Sequence, residues 1–409
     1  MQNHKVWLPY TQMKNHLPQL DVESAKGSKI FLKDGSVLID GVASWWSAAH
    51  GYSHPHIIDA VTSQAQKLPH MMLAGFKNDA TYELADRLTK MTDLHSCLFV
   101  DSGSVAVEAA MKIAWQYFEN IEQGRKKKFI SFKDSYHGDT TGAMSLADLD
   151  GSMHSRHKGT LIDNFSVEIP KNENDLDKFE DFVKKNHEQI AALFIEPIVQ
   201  CAGGMKFNDP QIYAKVEKII KKHNILLIAD ECAVGFYRLG TDFASNICGI
   251  SPDILIIGKA LTGGVMTLAA TLVNEEIFNS FLGDDLSKAL MHGPTFMGNA
   301  LACAASNASL DLFEREDYEA KVSRIEKKFT ADLSVLKNHK RVKDVRIKGA
   351  LAAIETDFNQ QDMFELRKEF IKQGVFLRPF SNVIYVMPAL NIDEEDLDVI
   401  NEVVLSLRA

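Results

Sequence analysis

A chain of 409 residues in which 45% of side chains are hydrophobic and 24% are charged has the composition of a folded protein, long enough for two or three compact units. A mainly disordered chain and a small disulfide-stapled scaffold are thereby excluded. The 45 Lys and Arg against 55 Asp and Glu leave a net charge of -10, with basic runs no denser than 125–128, which argues against nucleic acid as a partner.

Five cysteines, Cys97, Cys201, Cys232, Cys248 and Cys303, are scattered with no CxxC pair. That pattern suits reduced thiols in a cytoplasmic protein better than a disulfide framework or zinc ligands. Residues 1–18 lack the charged-then-apolar order of a secretory signal. The apolar stretch 265–273 falls far short of the ~20 residues that cross a bilayer, so no membrane partner is expected. His54 with His56 and His154 with His157 lack carboxylates at ligand spacing and read as loop histidines, so no metal is expected.

In chain order, 30–39 reads as a hairpin, because Asp34-Gly35 between apolar runs is a favoured turn. Short apolar runs without alternation follow at 97–100, 129–132, 192–195, 225–229, 254–257 and 268–273, the mark of strands covered on both faces in a parallel sheet. Between them lie helical patterns: 104–118, with Val105, Ala109, Lys112 and Ile113 at helical spacing, and a helix from Pro210 to His223, capped by Asp209. After about residue 314, amphipathic stretches (318–336, 362–373, 394–407) alternate with strand-like 345–355, 375–377 and 383–387. The fold class is α/β: a large unit over 50–310 with a mostly parallel central sheet, and a smaller discontinuous α/β unit from 1–49 and 311–409.

In such a sheet ligands collect outside the carboxyl ends of the strands. Three ends carry chemistry. ILLIAD ends in Asp230, DILIIGKA in Lys259, and LFVDSGS leads through Ser102, Gly103 and Ser104 into a helix. Singly, these read as a turn cap, a surface lysine and a helix N-cap. Jointly, on one edge of one sheet, they match what pyridoxal phosphate requires: an amine for a Schiff base, a carboxylate for a pyridinium nitrogen, and helix-start N–H groups for a phosphate. The competing nucleotide motifs fail, because no GxGxxG follows a strand and Gly258-Lys259 lacks both the upstream glycine and the following hydroxyl of a P-loop.

Six segments in order, WLPYTQM (7–13), Trp45-Trp46, DSGSVAVE (101–108), YHGDT (136–140), GKALTGG (258–264) and HGPTFMGN (292–299), make the chain resemble the class III, fold type I pyridoxal-phosphate aminotransferases over nearly its whole length. Within that family the match is to biotin-pathway members that aminate 8-amino-7-oxononanoate to 7,8-diaminononanoate, usually with S-adenosyl-L-methionine as donor. The resemblance implies that Lys259 is the covalent anchor and base, Asp230 the partner of the ring nitrogen, and Tyr136 the aromatic residue on the ring. Gly103 and Ser104 would contact the phosphate, with Pro294 and Thr295 reaching it from the neighbouring subunit of a homodimer. Tyr10, Trp45, Tyr136, Lys259, Gly293 and Arg378 would line the substrate site, Arg378 offering a guanidinium fork to the distal carboxylate. Tyr385 is a further pocket candidate. Of the two tryptophans, Trp45 is assigned to the site on the premise that strand neighbours face opposite ways.

The pattern departs from the family at 235–240, where GFYRLG carries a bulky Tyr237, and at Ala300, where proline is commoner. Other readings are lysine as donor for the same product, an ω-aminotransferase acting on ornithine or 4-aminobutyrate, and a catalytically silent dimer.

Overall fold

The unbroken apolar runs form the middle of a seven-stranded sheet. In spatial order its strands are Ser96–Val100, Ala269–Val273, Ile254–Ile257, Leu226–Asp230, Ile190–Ile195, Lys128–Phe132 and Phe165–Val167. Ile190–Ile195, Leu226–Asp230 and Ile254–Ile257 are buried along their whole length, which is why no alternation marks them. The protein is described here from a computed structural model covering residues 5–150 and 153–408.

Ala269–Val273 runs antiparallel to both neighbours. A parallel return needs a crossover of about a dozen residues or more, usually a helix, and residues 258–268 hold only the short 3-10 turn Lys259–Thr262. The edge strand Phe165–Val167, unforeseen in the sequence, is three partly exposed residues with no apolar run to announce it.

The helix Gly103–Asn120 buries Ala106, Val107, Ala110, Met111, Ala114, Tyr117 and Phe118, a stripe at spacings of three and four that packs on the sheet. Pro210–Lys222 starts where the Asp209 carboxylate accepts the Gln211 N–H at 2.9 Å, with proline where a missing N–H costs nothing. Two reversals around Ala269–Val273 restore direction. The carboxyl ends of Ser96–Val100, Leu226–Asp230 and Ile254–Ile257 therefore share one edge.

The N-terminal hairpin, Lys29–Leu32 with Val37–Asp40, joins a four-stranded sheet in which Val375–Phe376 pairs parallel to Val37–Asp40. The expected single strand over 345–355 is instead the antiparallel pair Val342–Lys348 and Leu351–Thr356, extended by Val383–Val386. Gly349, at φ +56°, makes the reversal. An apolar run reports burial and not direction, so this lone glycine was the available signal.

A Cβ on Gly349 would lie 2.5 Å from the Arg238 carbonyl oxygen. Gly349→Ala should therefore cost roughly 1–3 kcal/mol, from the left-handed backbone and the collision together. The urea midpoint would fall, and an unchanged midpoint would show that the facing 235–240 loop yields freely.

Candidate active site

The shared sheet edge brings the three strand-end features into one cavity of about 200 Å³, lined by Ser102, Gly103, Ser104, Tyr136, Asp230 and Lys259 among others. Asp230 is 8% exposed; its carboxylate accepts the His137 Nδ1–H at 2.9 Å and the Cys232 N–H at 3.1 Å. Burial pushes this carboxyl up, but the hydrogen bond and charge of His137, the Lys259 charge and the Cys232 N–H outweigh it and hold Asp230 below the ordinary value. His137 shows the converse. Burial lowers it, and the hydrogen bond and charge of Asp230, with Glu196 behind, raise it above 6.5. The two groups thus shift each other in opposite directions through one buried hydrogen bond. Glu196, also buried, accepts the backbone N–H of Tyr136 at 3.1 Å and is pushed by burial up to about 7.

Lys259 opens the turn after Ile254–Ile257 with φ +46°, a left-handed backbone of the kind that clusters at functional sites. Its Nζ stands 5.1 Å from the centre of the Trp46 ring, with no hydrogen-bond acceptor or acid as partner among the described residues. Ser102 caps the helix Gly103–Asn120 by accepting the Val105 N–H, which leaves the first N–H groups of that helix free. The 136–139 loop passes this helix start so closely that a Cβ on Gly138 would lie 2.1 Å from Ser104 Oγ. These groups fit a phosphorylated aldehyde with a basic ring nitrogen: an unpaired amine, an ionised buried acid and an anion-binding helix start within one cavity.

A second cavity of about 380 Å³ opens from the same place and shares Trp46, Tyr136 and Lys259 with the first. Its other walls include Tyr10, Trp45, Asp139, Arg378 and Tyr385. The Arg378 guanidinium lies over the Trp45 ring at 4.7 Å and has no carboxylate partner among the described residues, so it is not an ordinary surface ion pair. Tyr10 packs edge-on to Trp45 at 5.9 Å; its hydroxyl meets that of Tyr136 at 3.1 Å and donates to Asp139. Tyr385, 2% exposed, packs edge-on to Trp46.

The premise for choosing Trp45 over Trp46 fails. Ala43–Trp46 is a left-handed turn, not a strand, with φ of 44°, 50°, 54° and 72° in succession. Both tryptophans consequently line the cavity, Trp46 beside Lys259 and Trp45 beside Arg378. Asp139 and His137 were also missed as site residues, although both stand in the YHGDT segment. His154, read as a loop histidine, stacks on Tyr136 at 5.8 Å.

Gly293, Pro294 and Thr295 line neither cavity of their own chain; Gly293 and Thr295 are exposed on a loop whose His292 meets Lys112 in the middle of the helix Gly103–Asn120. The Tyr237 departure is absorbed by packing, since its ring stacks on Phe313 at 5.5 Å while Arg238 turns inward to donate to the Ala350 and Pro388 carbonyls. Ala300 occupies the first position of the helix Ala300–Arg315, a place where proline and alanine both serve.

The fold and this site define a class. The class-III aminotransferase family model matches residues 10–406, and the chain belongs to that family. The adenosylmethionine-8-amino-7-oxononanoate aminotransferase of Buchnera aphidicola subsp. Schizaphis graminum is 39% identical over 97% of this chain and 96% of its own. The crystal structure of the enzyme of that name from Methanocaldococcus jannaschii superimposes with a TM-score of 0.91 at 32% identity, covering 98% of this chain and 97% of that one. An amine transaminase from an uncultivated Pseudomonas species, in its PLP-bound form, gives 0.92 at 26% identity, covering 99% and 98%.

The ion pair has a measurable sign. In the cofactor-free protein His137 should titrate above 6.5, so its contribution to stability is full below 6.5 and lost as pH rises through the folded midpoint. Asp230→Asn removes the main raising cause and leaves burial dominant, so the NMR midpoint of His137 should drop below that of the parent protein. A midpoint indifferent to the substitution would remove Asp230 as its cause.

Proposed function

We propose that this protein transfers an amino group from S-adenosyl-L-methionine to 8-amino-7-oxononanoate, giving 7,8-diaminononanoate for biotin synthesis, with pyridoxal phosphate on Lys259. The observation that carries the reading is the span from Lys259 to Arg378. An amine and an unpaired guanidinium face one cavity across aromatic walls, as a ketone on a long chain ending in a carboxylate requires. Support comes from the relatives bearing this activity in their names, from Buchnera to Saccharomyces cerevisiae at 36% identity.

The cofactor supplies an electron sink that lets a C–H bond beside nitrogen ionise. Everything else is done by side chains. Lys259 would hold the aldehyde, and its freed amine would move the proton at the α-carbon of the donor and at the acceptor carbon. Asp230, held low by His137, would keep a proton on the ring nitrogen. Gly103 and Ser104 would present the helix start to the phosphate, and Tyr136 would supply an aromatic face beside the ring. Tyr10, Trp45 and Trp46 wall the chain of either substrate, and Arg378 takes the acceptor's carboxylate. Asp139, the single acid lining this cavity among the described residues, suits the cationic donor. Donor and acceptor use the same space in turn.

The same reading makes the protein a cytoplasmic homodimer. Leu282, Leu286, Met291 and Phe296 are exposed along one segment, and Met72 and Phe76 are exposed near His70, whose ring meets that of Phe296 at 4.8 Å; exposed apolar side chains of this kind suit a subunit contact. Pro294 and Thr295, with Gly293 beside them, would then reach the phosphate of a second copy. The division into a large unit, 50–310, and a small one, 1–49 with 311–409, follows this scheme, and the pairing of Val375–Phe376 with Val37–Asp40 supports it. Among the described residues no helix is long and apolar enough to cross a membrane.

A half-reaction assay tests the assignment. S-adenosylmethionine, lysine, ornithine and 4-aminobutyrate are mixed separately with the holoenzyme, and the visible cofactor band is followed. Bleaching by S-adenosylmethionine is expected; by lysine alone, it would keep the product and change the donor; by ornithine or 4-aminobutyrate alone, it would refute the biotin assignment. Asp230→Asn should nearly abolish turnover, since breaking a buried pair costs about 3–5 kcal/mol. Arg378→Ala should raise the KM for 8-amino-7-oxononanoate about 10- to 100-fold, from a lost charged hydrogen bond of roughly 1.5–3 kcal/mol, and spare the donor half-reaction. Equal loss in both halves would count against Arg378 as the carboxylate clamp.

A further inference from the structure

The aromatic wall depends on a backbone shape that L-residues avoid. Ala43, Ser44, Trp45 and Trp46 are all left-handed and none is glycine, although runs of such residues are strongly disfavoured. The turn is closed by the Trp46 N–H on the Val42 carbonyl at 2.9 Å and the Ala48 N–H on the Ala43 carbonyl at 3.0 Å. Two bonds of this kind form equally well in a right-handed turn, so something outside the turn selects its hand.

Asp40 is placed to do so. It ends the strand Val37–Asp40, is 2% exposed, and has no cationic partner within ion-pair distance among the described residues. One carboxylate oxygen accepts the Val42 N–H at 2.8 Å; the other accepts the Ser44 N–H at 3.2 Å and the Tyr52 hydroxyl. Both N–H groups converge on this one carboxylate in the bent chain. Gly264, in the loop after Lys259, also presses so near that a Cβ there would lie 2.9 Å from Ala48 N and Cα. The turn is held by both the buried acid and the lysine loop.

We infer that Asp40, with Tyr52 behind it, is a positioning residue for the amine substrates: its carboxylate fixes the left-handed turn that aims Trp45 at Arg378 and Trp46 at Lys259. Asp40 touches neither cavity, so it acts only through the two rings. The inference rests on the Lys259–Arg378 cavity being the substrate site, and not on which amine occupies it.

The test uses full-length holoenzyme and its cofactor-free form, with Asp40→Asn, Tyr52→Phe, Trp45→Ala and the double variants. Asn keeps the shape of Asp but exchanges one acceptor oxygen for a donor. In the cofactor-free protein the near-UV circular dichroism of tryptophan should change in Asp40→Asn and change less in Tyr52→Phe, which keeps both backbone bonds. The KM for whichever amine the parent enzyme accepts in the half-reaction assay should rise about tenfold in Asp40→Asn with kcat altered about threefold or less, while the absorption band of cofactor on Lys259 stays. A different amine from the one proposed leaves this measurement standing. In a Trp45→Ala background, Asp40→Asn should add little further rise, as expected when one residue acts through the other. Unchanged dichroism, an unchanged KM beside lowered thermal stability, or fully additive KM effects would each overturn the role. If Asp40→Asn does not fold, Tyr52→Phe enters the same cycle, with a smaller rise expected and the same additivity overturning it.

Discussion

A carboxylate can stay ionised inside a protein only if something there replaces the water it has lost. For Asp230 that replacement is the His137 ring nitrogen at 2.9 Å, and much of the active-site architecture arranges the meeting. Asp230 sits at the end of a strand buried on both faces; His137 comes from the loop after Lys128–Phe132, two strands away in the sheet. Glu196, following Ile190–Ile195 between them, holds that loop by the Tyr136 N–H. Three strand ends thus combine to keep one negative charge in place. Lys259, next door on Ile254–Ile257, adds its own charge to the same balance.

Around this fixed charge the two cavities divide the labour. One gathers groups suited to a phosphorylated aldehyde, the other groups suited to recognising what enters. Tyr136, Trp46 and Lys259 belong to both, so recognition and chemistry share side chains. The binding side is deliberately unfinished in charge: Arg378 rests on the Trp45 face without an acid, and Asp139 gathers neutral hydroxyls from Tyr10 and Tyr136. A dipolar cavity with aromatic walls suits the anionic chain and cationic donor proposed for it, taken by turns. The strain that shapes those walls lies in the backbone at 43–46 and at Lys259, facing residues whose interactions override it.

Strand ends were the legible part of the site. Asp230, Lys259 and Ser102 follow apolar runs directly, and a run buried on both faces announces both the strand and where it stops. Trp46 was misjudged because the alternation rule presumes a strand, and nothing local in GVASWW signals a left-handed turn. His137 and Asp139 stand in a loop, where residue order carries no periodicity, and their partners lie 93 and 129 residues away in Asp230 and Tyr10. The hairpin at Gly349 and the reversed Ala269–Val273 were lost for a related reason: hydrophobicity measures depth and is blind to chain direction.

The amino-acid sequence by itself determined the α/β class, the order of buried strands, the amine and acid that close two of them, and the family whose motifs surround them. These are local properties, written in runs of a few residues and in the identity of single side chains. The tertiary structure alone decided that Asp230 is held ionised, that Arg378 has no acid beside it among the described residues, that both tryptophans face the cavity, and that Asp40 reaches the turn that carries them. Each of those depends on burial and on distances between residues remote in the chain, and only the folded chain sets either.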